Sequence, residues 1–103
     1  MNEELDFEHL RYSVLDWARQ RNLLNSENAY KQMLKVTEEV GELAGAIAKN
    51  NTEDIIDAVG DTLVTIIILS EQLGVDPIVC LTSAYMTIAN RTGKTVDGVF
   101  IKD

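Results

Sequence analysis

The chain contains one cysteine, one histidine, one proline and one tryptophan, and each scarcity narrows what it can be. A lone cysteine forms no disulfide within the chain, which suits a reducing compartment. The flanks of Cys80, PIVCLTSA, are apolar, so a buried structural thiol is expected rather than a nucleophile. His9 has no second histidine after it, so a carboxylate-bridged di-iron bundle, built on Glu-x-x-His pairs, lacks support. Basic residues are also few: nine Lys and Arg stand against seventeen Asp and Glu, for a net charge of −8. That field repels a phosphate backbone and argues against binding to duplex nucleic acid. The opening MNEELDFEHL is acidic with no apolar core of a signal peptide. The apolar run TLVTIIILS falls far short of the ~20 residues a membrane span needs. A cytoplasmic protein without a membrane segment is expected.

What is present is an ordinary globular composition, 46% apolar and 25% charged over 103 residues. It fits a single domain spanning 1–103. Periodicity predicts four helices and a short tail, an all-α fold. The first helix runs from about Leu5 to Arg21, with Leu10, Val14, Trp17 and Ala18 on one face. After the loop NLLNSEN, a second helix runs from about Glu27 to Ala48, with Met33, Val36, Val40, Leu43 and Ile47 as its apolar stripe. Asn50-Asn51 breaks the pattern, and Asn51 or Thr52 caps a third helix reaching Leu73, with Gly74 as the C-terminal cap. Asp76-Pro77 starts a fourth helix, which runs to about Asn90. The glycines and β-branched residues of RTGKTVDGVFIKD suit a turn or short hairpin. Gly41 and Gly45 share a helix face, a spacing that admits a closely packed neighbour.

Acidity concentrates in residues 38–61, where seven acids face a single lysine, Lys49. Glu38, Glu39 and Glu42 sit three and four apart and converge on one side of the second helix. Asp54, Asp57 and Asp61 form a stripe on successive turns of the third. Beyond Asp61 the sequence is apolar around the whole helix, so burial on every side is expected, with Asp61 at its mouth. Joined by a tight turn, the two helices pack antiparallel and bring Glu42 and Asp57 to similar heights. A buried carboxylate without a basic partner is costly, and a metal ion is one such partner. All-oxygen donors select a hard cation, Mg²⁺ first and Mn²⁺ second. The alternative is a solvated acidic face.

KVTEEVGELAGAI followed by DIIDAVGDTLVTIIIL resembles the MazG-like all-α nucleoside triphosphate pyrophosphohydrolases. The relatives of that family include dimeric dUTPases, dCTP pyrophosphatases and phosphoribosyl-ATP pyrophosphohydrolases. DWARQRNLLN and NRTGKTVDGVFIKD extend the likeness over nearly the whole chain. The family pattern is EExxE, a spacer, then ExxD. Glu38, Glu39 and Glu42 match its first half and Asp61 its last acid, but Ala58 stands where the other acid belongs. The resemblance implies Mg²⁺-dependent hydrolysis of a nucleoside triphosphate to monophosphate and pyrophosphate. It points to Glu39, Glu42 and Asp61 as metal ligands and Glu38 as the general base; for the acid missing at Ala58, Asp57 next to it or Asp54 one turn earlier could place a carboxylate near the site, with Asp57 the first choice as fourth ligand. It also implies a homodimer or homotetramer with the nucleotide pocket shared between subunits. Ala58 leaves a second reading open, a degenerate member that binds a nucleotide or a protein partner without turnover.

Such a site needs cations for phosphate oxygens. Lys35, one turn before Glu38, is a candidate, as are Arg91 and Lys94 in the tail, with Asn90 as a polar contact. Each could equally be a surface residue. Trp17 is either a stacking platform for a base or a core residue.

Overall fold

The computed structural model describes residues 5–103. Helix α1 spans Phe7–Gln20 and opens on Asp6, whose carboxylate accepts from the His9 amide at 2.9 Å. A 3₁₀ turn over Ser26–Asn28, capped by Asn25, then delays the second helix. As a result α2 spans Ala29–Ala48 rather than starting at Glu27. Asn50 adopts a left-handed φ of 54°, and Asn51 accepts from the Asp54 amide at 3.1 Å to start α3, Thr52–Gln72. That helix ends with Gly74 at φ 73° and the Val75 amide donating to the Ser70 carbonyl at 3.0 Å, a glycine-terminated cap. Asp76 and Pro77 open α4, Pro77–Ala89. Strands β1, Gly93–Val96, and β2, Val99–Lys102, pair antiparallel with Val96 opposite Val99. Asp97 and Gly98 between them carry φ of 51° and 79°, the backbone of a tight hairpin turn. The all-α class and the four helices with a short tail are as expected.

Packing is where sequence and structure part. Gln32 near the start of α2 donates to the Thr65 carbonyl late in α3, at 3.1 Å, so the two helices run antiparallel. The core is small: Leu15 and Ala18 from α1, Val36 and Ala46 from α2, and Ala58, Ile67 and Ile68 from α3. On α1 the buried face is Arg11, Leu15 and Ala18, one position round from the expected one, and Trp17 is half exposed. On α2 it is Val36, Glu39 and Ala46, whereas Met33, Val40 and Ile47 face outward at 47%, 49% and 60% exposure. The third helix is likewise not buried all round, because Ile56, Val59, Leu63 and Ile66 lie open.

Two further expectations are overturned. Cys80 is exposed, because α4 leaves the α1–α3 core and none of its residues is buried. A Cβ added at Gly41, Gly45 or Gly60 would meet nothing within 4 Å, so the glycines seat no neighbouring helix within the chain. Among the described residues no single helix is long and apolar enough to cross a membrane. Helices α3 and α4 reach that apolarity only as a pair, bent by 104°.

Candidate active site

Two clefts open along the α2–α3 seam, and Asp61 lines both. The larger, about 600 Å³, is walled by Trp17 and Leu23 on one side and by Gln32, Lys35 and Glu39 of α2 on another. Asp61, Thr65, Ile68 and Gln72 of α3 complete it. These four recur at spacings of four, three and four, so they share one face of the helix. The smaller cleft, about 390 Å³, gathers Glu42, Lys49, Asp54, Asp57 and Asp61 around Ala58. Five acids of the two helices are therefore drawn to one seam, with Glu39 on the large-cleft side, Glu42, Asp54 and Asp57 on the small-cleft side and Asp61 between.

Glu39 is the unusual member. It is 7% exposed, and its Oε1 is shielded from water with no hydrogen-bond partner. Its Oε2 lies 3.9 Å from Lys35 Nζ, too far for a strong charge-assisted bond. Burial pushes its carboxyl above the ordinary range, and the nearby Glu42 and Asp61 charges push the same way against Lys35. Lys35 is committed elsewhere. Its Nζ donates to Glu38 Oε1 at 2.9 Å, and that contact holds the ammonium pKa above its usual value.

Glu38 itself lines neither cleft and is more than half exposed. Trp17 lines the large cleft with the Arg21 guanidinium 4.4 Å over its ring. Asn90, Arg91 and Lys94 are exposed residues of the α4 end and the hairpin. A single chain does not bring them to either cleft. Asn28, Lys31, Gln32 and Gln72 join the lining although the sequence did not mark them, as does Lys49, the one lysine among the acids of residues 38–61. The signal for Gln72 was available, since it continues the helix face of Asp61, Thr65 and Ile68.

Among the described residues no three acids close into a ready coordination shell. The donors still suit a hard cation. They are all carboxylate oxygens, and Glu39 Oε1 is a buried acceptor with nothing to accept from. Magnesium binds through one or two carboxylates plus substrate phosphates and water, rather than an all-protein cage.

The model of the MazG nucleotide pyrophosphohydrolase domain matches residues 27–93. The chain belongs to the MazG family. The match runs from the 3₁₀ turn to the first residue of β1 and so contains every acid of both clefts, whereas Trp17 lies before it. The MazG chain is also 37% identical over 73 residues to an uncharacterized 18.2 kDa protein of the rep–hol intergenic region of Haemophilus phage HP1. The alignment covers 71% of this chain and 45% of that protein, so the chain spans less than half the length of that relative. No solved structure matches it at a significant level.

Ala58, the residue in place of an acid of the MazG-like pattern, is 6% exposed at the floor of the small cleft. Ala58→Glu should therefore lower the metal-free stability on the order of 3 kcal/mol, because it places an unpaired charge beside Glu42 and Asp61. For a domain of this size that is a fall of more than about 10 °C in Tm. Added Mg²⁺ should restore more of the loss than it adds to the parent chain. Equal loss with and without Mg²⁺ in thermal melts would show that the position has no access to a cation.

Proposed function

We propose that the chain hydrolyses a nucleoside triphosphate to the monophosphate and pyrophosphate, with Mg²⁺ as cofactor and Mn²⁺ as substitute. The observation that carries this reading is the buried carboxylate of Glu39, its Oε1 without a hydrogen-bond partner, beside Glu42 and Asp61 in the seam of a MazG domain. Glu39, Glu42 and Asp61 would hold the metal, with Asp57 as fourth ligand and Asp54 one turn away on the same cleft. When bound, Mg²⁺ neutralises phosphate charge that develops during transfer.

The chain's own residues supply the rest. Lys35 is paired with Glu38 at 2.9 Å, and an incoming phosphate competes for its ammonium. Once Lys35 turns to the phosphate, Glu38 is free to accept a proton from a water molecule. The water oxygen bonds to phosphorus as the α–β anhydride breaks, and pyrophosphate departs. Attack at either bridging phosphorus gives the same products. Trp17 flanks the large cleft where a base can stack. For Asn90, Arg91 and Lys94 to contact the phosphates a second copy of the chain must supply them, so the proposed working assembly is a homodimer or homotetramer.

A panel of ribo- and deoxyribonucleoside triphosphates, assayed for pyrophosphate with and without Mg²⁺, tests the proposal. Metal-dependent release of pyrophosphate from at least one nucleotide is expected. The buried Ala58 favours a second reading, a degenerate member that binds without turnover. Calorimetric nucleotide binding with no pyrophosphate released would select that reading and remove the first.

A further inference from the structure

Among the described residues Trp17 is the only aromatic side chain that lines the large cleft, and it is the chain's single tryptophan. At 47% exposure its ring is not held by the core alone. Arg21, one turn further on, holds it. The guanidinium carbon lies 4.4 Å from the centre of the indole ring, and Nη1 donates to the Trp17 carbonyl at 3.0 Å. One planar cation thus grips both the ring and the backbone of the same residue. Arg21 forms no ion pair among the described residues, in a chain where seventeen acids face nine bases. A weakly hydrated, delocalised guanidinium is the cation suited to an aromatic face.

The backbone that follows is fixed as well. Asn22 takes a left-handed φ of 59°, and the Leu23 amide donates back to the Ala18 carbonyl at 3.0 Å. The Leu23 carbonyl in turn accepts from Gln72 Nε2 at 2.7 Å, which pins the end of α1 to α3. Leu23 lines the large cleft beside Trp17, whereas Arg21 is not part of its wall. The guanidinium therefore backs the indole from outside the cleft and leaves the cleft side of the ring open, next to the apolar Leu23, Val64 and Ile68.

We propose that Arg21 is a positioning residue, holding the Trp17 indole ready as a platform on which the planar ring of a cleft ligand stacks. A side chain ordered before binding has less freedom to lose when the ligand arrives. Every base has a π-face, so the platform adds affinity without choosing among bases. This inference rests on the nucleotide reading of the large cleft, and the experiment separates the two. A bound Mg²⁺–nucleotide should quench the emission of Trp17, and Mg²⁺–tripolyphosphate, which carries no ring, should leave it unchanged. Arg21→Met keeps an apolar stem and removes the cation. Its KM for the nucleotide should rise about 3- to 10-fold, with kcat within about twofold of the parent. Tripolyphosphate should compete equally well against both chains, and Arg21→Lys should fall between them. Equal weakening of nucleotide and tripolyphosphate makes Arg21 a phosphate contact or a distant charge and overturns the inference. A variant that melts earlier but keeps the parent KM makes Arg21 a helix cap alone and overturns it too. So does a parent chain whose emission no nucleotide alters, whether or not pyrophosphate is released. Quenching by nucleotides that are not hydrolysed removes the hydrolase reading alone, and affinities from the same titration then take the place of KM.

Discussion

Glu39→Gln and Asp61→Asn are each expected to reduce pyrophosphate release by about 10²- to 10³-fold, the scale of losing one group that stabilises transition-state charge. The helical circular dichroism should not change, since both substitutions keep side-chain shape. Stability should move against activity for Glu39→Gln. The parent carboxylate is buried beside Glu42 and Asp61, and its ionised form is disfavoured. Removing that charge should leave the metal-free variant at least as stable as the parent at pH 7. Added Mg²⁺ should reverse the order, because a ligand bound only by the folded state stabilises it by about 2.7 kcal/mol at a hundredfold excess over Kd. The parent gains that increment and the variant loses most of it. Loss of activity together with lost helicity, or an unchanged rate, would remove Glu39 from the site.

The same residue sets a pH dependence whose sign is fixed. Folding raises the Glu39 pKa above the ordinary glutamate value of 4.5, so the folded chain holds this proton more tightly than the unfolded one. Its stabilising contribution is complete below about 4.5 and is lost as pH rises through the elevated value. In EDTA, the stability deficit of the parent against Glu39→Gln should therefore be largest near neutrality and close as pH falls toward 4. A deficit that widens on acidification would mean the carboxylate is paired, not strained.

Helix number, caps and the family were legible in the sequence because they depend on local signals. Asn51, Gly74, Asp76 and Pro77 each act on their own neighbours. Which face of a helix is buried depends on partners that the sequence does not name. On α2, two apolar readings share Val36 and Leu43. One adds Met33, Val40 and Ile47, and the other adds Glu39 and Ala46. Hydrophobicity alone selects the first, which turns Glu39 outward. The fold adopts the second, which turns Ala46 toward Ala58 at the small cleft and Glu39 toward Asp61 at the large one. The same tertiary choice explains Gln72, a polar residue on a core face that sequence reasoning treated as the end of a helix.

If the proposed homodimer or homotetramer forms through α4, Leu81→Asp should dissociate it with a large loss of thermal stability, the second major expected result. Helix α4, PIVCLTSAYMTIA, carries no charge, yet Val79, Leu81, Tyr85, Met86 and Ile88 are all more than half exposed in the single chain. Met33, Val40 and Ile47, spaced by seven along α2, add an outward apolar seam. Apolar surface on this scale marks an interaction site. Fully burying such a side chain is worth about 1.5–3 kcal/mol, and several of them together must offset the ~4–15 kcal/mol that association costs. A second copy would also bring Asn90, Arg91 and Lys94, proposed as phosphate contacts, to a cleft that their own chain does not let them reach. Cys80 on the same helix is the only cysteine, which makes its thiol a direct probe. Labelling should be slow in the parent at micromolar concentration, speed up on dilution, and be fast at every concentration in Leu81→Asp. Sedimentation should report monomer for the variant, and pyrophosphate release should fall with it. A parent chain that sediments as monomer with a freely reactive Cys80, while still active, would show that the site is complete within one copy and that α4 is covered by something else.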